Sequence, residues 1–156
     1  MFSFVRVDIT ECDGGIALGK YWVSVIAATH AGFAMDQGIA AFSKGKRSSV
    51  ARVSRGDHFV YYSPKTGISE GDPVQAFTAL GEITGDAEIE MPWADTGVMA
   101  WIKEASYEVI RPAPVKPMIE DLSFVTNPRY WGMAFRRGQF EISAEDFNRI
   151  AHAMRG

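Results

Sequence analysis

Three short segments set flat rings beside cations or hydroxyls: Tyr21-Trp22, the run Tyr61-Tyr62-Ser63-Pro64-Lys65, and WGMAFRRGQFEI from Trp131 to Ile142. This combination suits an unstacked nucleobase. Rings stack on its faces, hydroxyls and backbone amides take its edge, and cations hold the flanking phosphates. Stacking is worth about 1–3 kcal/mol per base, and extruding a base from a duplex costs a few kcal/mol, so a two-sided clamp offsets extrusion and a single strand binds at less cost. The plainer reading is that the same rings fill the core of a small barrel, and periodicity alone does not separate the two.

Chemistry of other kinds finds little support. His30, His58 and His152 are scattered, with no HExxH and no paired metal-ligand spacing. The strings GISEG, from Gly67 to Gly71, and SKGK, from Ser43 to Lys46, match GxSxG and SxxK in letters alone; the first falls between two expected strands, not on the strand-to-helix turn that a nucleophile elbow needs. The run SKGKRSS lacks the GxxxxGK[ST] spacing of a phosphate cradle, and no GxGxxG opens a helix. Carboxylate neighbours such as Glu120 and Asp121 read as a solvated face. A small hydrolase or transferase would have to bring His30 within hydrogen-bond reach of Ser24 or Ser63, which nothing in their spacing demands. No catalytic residue, metal or cofactor is therefore expected.

The charge is unevenly spread. Sixteen basic against nineteen acidic side chains give a net charge of −3, so the whole molecule has no long-range attraction for a polyanion. Locally, KGKRSSVARVSR places Lys44, Lys46, Arg47, Arg52 and Arg55 together with no acid among them, and Arg129, Arg136 and Arg137 form a smaller basic group. Acids collect from Glu82 to Asp95. Folding that gathers these segments separately would give a basic and an acidic side; the alternative is a solvated loop. The single cysteine, Cys12, makes no intramolecular disulfide and points to a reducing, cytoplasmic setting. The charged opening segment and the lack of a long apolar run argue against a signal peptide and a membrane span.

The elements that must hold these residues read as α+β in one domain, since 156 residues with 47% hydrophobic content fill one core comfortably. Strands are expected at Tyr21 to Ala28, Asp57 to Ser63 closed by Pro64, Gln75 to Thr84 with a bulge or close approach at Gly81, Met99 to Ile110, and Phe140 to Ile142. Along the second of these, Phe59 and Tyr61 share one face and Val60 and Tyr62 the other. Thr29 to Phe42 supplies a helical turn or two, interrupted at Gly32 and Gly38. RPAPVKP is too proline-broken for regular structure. Ser143 caps a final amphipathic helix with Asp146 three residues on, Ile142 and Phe147 as its staple, and Phe147, Ile150, Ala151 and Met154 as its buried stripe. A strongly curved sheet or small barrel with short helices follows.

In order and spacing, Tyr21-Trp22, KGKRSSVARVSRGD, YYSPK, QAFTALGEI and WGMAFRRGQFEI resemble the EVE-domain family, PUA-like proteins related in fold to YTH and ASCH domains. The resemblance covers about residues 20 to 154. It implies a PUA-like curved mixed sheet, or small pseudo-barrel, over 20–156, with peripheral short helices and the C-terminal helix; residues 1–19 form an N-terminal extension. It also implies recognition of modified bases in DNA or RNA, by analogy with YTH readers of methylated adenine. Trp22, Tyr61, Ser63, Pro64, Lys65, Trp131, Phe135 and Arg136 fall on the characteristic positions, and Lys46 fills the lysine of a His-Gly-Lys pattern. The usual histidine is Lys44 here, and Gln37-Gly38-Ile39 stands where GGF is usual.

The expected site is a non-catalytic aromatic pocket for a flipped or single-stranded, methylated base. Trp22, Ser24, Tyr61, Ser63, Pro64, Trp131 and Phe135 form the pocket, and Lys44, Lys46, Lys65, Arg136 and Arg137 make the phosphate and edge contacts. One buried methyl contributes only about 0.8 kcal/mol, roughly a fourfold preference, so strong discrimination needs a tightly shaped cage. The alternative is a protein-interaction or scaffold module, which would bury Trp22, Tyr61 and Trp131 instead of opening them to a concave site. The chain either acts alone or forms a homo-oligomer.

Overall fold

The computed structural model describes residues 19–67, 71–94 and 96–156. Cys12 and the expected extension, up to residue 18, lie outside the described residues. The frame is a curled mixed sheet of strands β1 (Tyr21–Val25), β2 (Ile39–Ala40), β3 (His58–Lys65), β4 (Pro73–Ile83), β5 (Ile89–Trp93), β6 (Val98–Tyr107), β7 (Ala113–Pro114) and β8 (Gln139–Ile142). Their order is β2-β6-β4-β3-β1-β8, with β5 on β6 and β7 on β4. β1 and β3 run parallel, with Trp22 beside Phe59, while β8 closes antiparallel on β1. Helices α1 (Ala28–Gln37), α2 (Arg47–Val50) and α3 (Ala144–Arg155) lie around the sheet, with 3-10 segments at Lys116–Asp121 and Pro128–Arg137.

Period-two alternation divides the interior into two layers, because successive side chains leave a strand on opposite faces. Phe59 and Tyr61 of β3 join Trp22, Phe42, Ile83 and Trp93 on one face. Val60 and Tyr62 join Phe77, Leu80, Phe135 and the stripe of α3 on the other. That stripe is buried at Phe147, Ile150, Ala151 and Met154, and Ser143 Oγ accepts the Asp146 N–H at 3.1 Å as the cap predicts.

Several elements differ from expectation for local reasons. β1 stops at Val25, since Ala27 is already the N-cap of α1. α1 passes through Gly32 without a break and ends at Gly38, whose left-handed backbone (φ 66°) turns its N–H back to the Ala34 and Met35 carbonyls. β3 runs on through Pro64, which the ladder tolerates because the register shifts between Ser63 and Lys65. Gly81 does mark a close approach: a Cβ there would come within 2.7 Å of the Phe59 ring and 2.9 Å of the Ser106 carbonyl. Within the proline-broken segment, Ala113 and Pro114 still form β7 against Phe77 and Ala76. β5 is an unexpected strand, its Ile89, Met91 and Trp93 alternation masked by acids and by Pro92.

The basic and acidic segments are not separated. Arg47 pairs with Glu88 at 2.9 Å and Arg55 with Asp86 at 3.4 Å, so the acidic segment folds back on the basic one and neutralises part of it.

Candidate functional site

A cavity of about 440 Å³ opens where the C-terminal ends of β1 and β3 meet the β5–β6 hairpin, within the roughly 300–1,000 Å³ typical of ligand pockets. Val25, Ile26, Ala41, Pro64, Trp93 and Ala100 give it a mainly apolar wall, and His30, Ser43 and Thr96 add polar atoms. Lys44 and Lys65 also line it, and both are exposed. Trp93, closing β5, is held in T-shaped contacts with Phe33 (4.9 Å between centroids) and His30 (5.9 Å). No carboxylate among the described residues pairs with Lys44 or Lys65.

The turn that carries Lys44 is built under strain. Ser43, Lys44 and Gly45 have φ of 48°, 63° and 79° in succession. A side chain in that region costs about 1–2 kcal/mol, and such strain persists where the surroundings over-determine it, frequently beside ligand sites. Here the surroundings are β6. A Cβ on Gly45 would lie 2.5 Å from the Ala100 Cβ, so only glycine lets the turn sit on the strand and direct its neighbours to the cavity.

The expected pocket residues are divided by this geometry. Pro64, Lys44 and Lys65 line the cavity. Trp22 and Tyr61 do not. Trp22 is 3% exposed, its indole N–H bound by the Asp57 carboxylate at 3.0 Å and the Arg52 guanidinium 5.2 Å from its ring. Tyr61 is fully buried, with its hydroxyl donating to the Ala41 carbonyl at 2.8 Å and accepting the Ala41 N–H at 3.1 Å. Burial pushes its phenol well above the ordinary tyrosine range. Both rings are core, because the first layer needs large side chains to fill a curled sheet. Ser24 and Ser63 are buried as well; Ser63 shares a 2.7 Å hydrogen bond with Thr78, and Ser24 sits opposite Gln139 on the β1–β8 ladder. Neither serine lines the cavity that His30 lines, so the pairings weighed from sequence, His30 with Ser24 or Ser63, are not brought together there.

Trp131, Phe135, Arg136 and Arg137 belong to the opposite layer, on Pro128–Arg137. Phe135 is buried and stacks on Tyr62 with centroids 3.9 Å apart. Trp131 and Arg137 line a second cavity of about 320 Å³, separate from the first. Arg136, next to Arg137, and Lys46, just before α2, are both exposed and line neither cavity. The residues expected to form a single pocket are therefore divided between two cavities and the core. Trp93 was not anticipated, although the alternation along β5 and the turn at Gly97 (φ 76°) signal the hairpin that presents it. Among the described residues, no group of three or more histidine, cysteine or acidic side chains is arranged to hold a metal, and no helix is long and apolar enough to cross a membrane.

The curled sheet, short helices and closing C-terminal helix define a PUA-like fold of the kind seen in YTH and EVE proteins. The chain belongs to the EVE domain family, whose profile matches residues 20–153. It is 35% identical over 140 residues to the UPF0310 protein msl3206 of Mesorhizobium japonicum, spanning 88% of this chain and 93% of that one. It is 36% identical over 117 residues to the UPF0310 protein in the gntR 5′ region of Bacillus licheniformis, spanning 75% and 79%. Among solved structures, the YTH domain-containing protein mmi1 in its RNA complex is similar in fold, with a TM-score of 0.58 at 15% identity over 93% of this chain and 87% of that one. Rpa0253 of Rhodopseudomonas palustris matches with a TM-score of 0.51 at 16% identity over 86% and 92%.

Proposed function

We propose that the cavity beside Lys44 and Lys65 takes one flipped or single-stranded nucleobase without catalysing a reaction on it, and prefers a base carrying a small apolar modification such as a methyl group. The observation that carries this reading is an apolar-walled cavity of ligand size lined by two exposed lysines that no described carboxylate neutralises. Trp93 supplies the ring, His30, Ser43 and Thr96 the polar edge, and the lysines the flanking phosphates. A protein of the same fold solved with RNA supports nucleic acid as the ligand class. The apolar wall favours a methyl by about 0.8 kcal/mol for its burial alone, so discrimination beyond roughly fourfold comes from shape that penalises the unmodified base.

A protein-interaction module is the second reading. It is favoured by the burial of Trp22 and Tyr61 and by the exposed Val98 and Met99 beside the cavity. Fluorescence polarisation of short single-stranded RNA and DNA, with and without methylated adenine or cytosine and at two salt concentrations, separates the two. The base reader binds in the micromolar range, more weakly in high salt, and favours one methylated probe. Failure of every probe below millimolar concentration leaves the protein module, and equal affinity for all base states removes the preference for a modification.

A further inference from the structure

The second cavity lies on Pro128–Arg137, lined by Phe124, Asn127, Tyr130, Trp131, Met133 and Arg137. Its surroundings differ from an ordinary edge of the core. Tyr130 is 53% exposed and Met133 60%. The Arg129 guanidinium stands 5.4 Å from the Tyr130 ring, and that of Arg137 lies 4.1 Å from the Phe140 ring. Among the described residues no carboxylate pairs with Arg129, Arg136 or Arg137, in contrast to Arg47 and Arg55, which are both neutralised. An exposed ring with one guanidinium beside it and two more on the same segment, none paired with a described carboxylate, is complementary to a polyanion that carries flat groups.

The two cavities share a backbone seam. Val25, which lines the first, donates its N–H to the Gly138 carbonyl at 2.8 Å. Gly138 directly follows Arg137, which lines the second. On the same glycine, the position a Cβ would take is 3.8 Å from Ser43 Oγ, another residue of the first wall. Gly138 thus touches residues of both walls just ahead of β8, the last strand in the sheet order, and a nucleic-acid strand that rounds this edge passes from one face to the other.

We propose that the 124–137 cavity is a second nucleotide subsite: a further base of the strand whose base fills the first cavity stacks on Tyr130, and Arg129, Arg136 and Arg137 hold the phosphates beside it. This rests on the reading of the first cavity as a base site, and its occupant is the continuation of the same single strand. The first cavity then selects the base, and the second adds affinity that depends on strand length and not on base identity.

The test compares a mononucleotide with a single-stranded oligonucleotide of about ten residues, a length within the footprint of small single-strand binders, in ribo and deoxyribo forms. Wild type binds the oligonucleotide more tightly than the mononucleotide. Tyr130→Ala lowers oligonucleotide affinity by about 5- to 150-fold, the equivalent of one lost stack, and leaves mononucleotide affinity unchanged. Met133→Glu, which sets a carboxylate in the groove, does the same, and Arg137→Gln flattens the salt dependence by about one phosphate contact. Wild-type oligonucleotide affinity in Tyr130→Ala and Met133→Glu, while Trp93→Ala loses binding to both probes, overturns the second subsite and spares the first. If wild type binds neither probe, the first-cavity reading fails and the second falls with it. Concentration-dependent self-association abolished by Tyr130→Ala, with oligonucleotide affinity intact, assigns the surface to a second copy of the chain and overturns the proposal.

Discussion

The Trp22 indole donates to the Asp57 carboxylate at 3.0 Å, and the same buried carboxylate accepts the Lys20 and Ser54 N–H groups at 2.9 Å each. This carboxylate ties the start of β1 to the turn that feeds β3 and locks the ring inward. Asp57→Ala leaves three donors without their acceptor and is expected to cost about 3 kcal/mol, given roughly 1–3 kcal/mol for each buried group left unsatisfied. Urea unfolding followed by tryptophan fluorescence measures it. Trp22→Phe is expected to lower stability in the same assay while the folded fraction keeps wild-type oligonucleotide affinity; a loss of affinity would return Trp22 to the binding site.

Trp93→Ala removes the ring of the first cavity and is expected to weaken oligonucleotide binding by about 5- to 150-fold. Lys65→Gln, a substitution at an exposed position, is expected to leave stability within about 0.5 kcal/mol and to reduce the slope of log affinity against log salt by about one unit. Titrations at several salt concentrations read both effects, and an unchanged slope would place Lys65 away from the phosphates.

Gly45→Ala meets two obstacles at once: a left-handed backbone at φ 79° and a Cβ that collides with Ala100. The expected cost is at least about 2 kcal/mol, and relief requires the 43–45 turn to lift from β6 and carry Lys44 with it. Ligand affinity therefore falls together with thermal stability. Gly32→Ala, where a Cβ meets open space in the middle of α1, is the contrasting case; it is expected to stabilise by about 0.5–1 kcal/mol. Thermal unfolding of the two variants gives shifts of opposite sign.

Burial raises the Tyr62 phenol from 10.0 to about 12, and those of Tyr61 and Tyr107 well above 10.0. Each is held neutral in the folded state and ionises more readily in the unfolded chain. The stability this represents is complete below pH 10.0, the unfolded value, and is lost as pH rises towards and through the folded values. Alkaline titration should show the phenolate absorbance of Tyr61, Tyr62 and Tyr107 appearing together with loss of tertiary circular dichroism. Titration of Tyr61, Tyr62 and Tyr107 while the tertiary circular dichroism is intact would contradict the packing.

Strands were legible where β-branched and aromatic residues alternate between turn residues, as in β3 and β4, and α3 was legible from its cap and apolar stripe. β5 was not, because its apolar alternation is interleaved with Glu90 and Pro92. That omission concealed Trp93. The Tyr61 error has a related cause: on a curled sheet, facing inward places a ring in the core as readily as in a cleft, and only the partners of its hydroxyl decide between them. Sequence order also joined Trp131 and Phe135 to the rings of β1 and β3, whereas the sheet itself stands between the two layers. Lys44, Pro64 and Lys65 share one cavity because the strained turn and the end of β3 meet the same hairpin, a long-range relation that local patterning does not contain.

The pairing of Arg47 with Glu88 and Arg55 with Asp86 bears on how fast a partner arrives as well as on what it touches. With a net charge of −3, the molecule as a whole repels an approaching polyanion at long range, and attraction is confined to patches within about one Debye length, roughly 10 Å at 0.1 M salt. Encounter is then selective in direction: strands drifting towards most of the surface are turned away, and productive collisions concentrate where the unneutralised lysines and arginines stand. Added salt would first quicken association by muting the overall repulsion, and then slow it once the local attraction is screened as well.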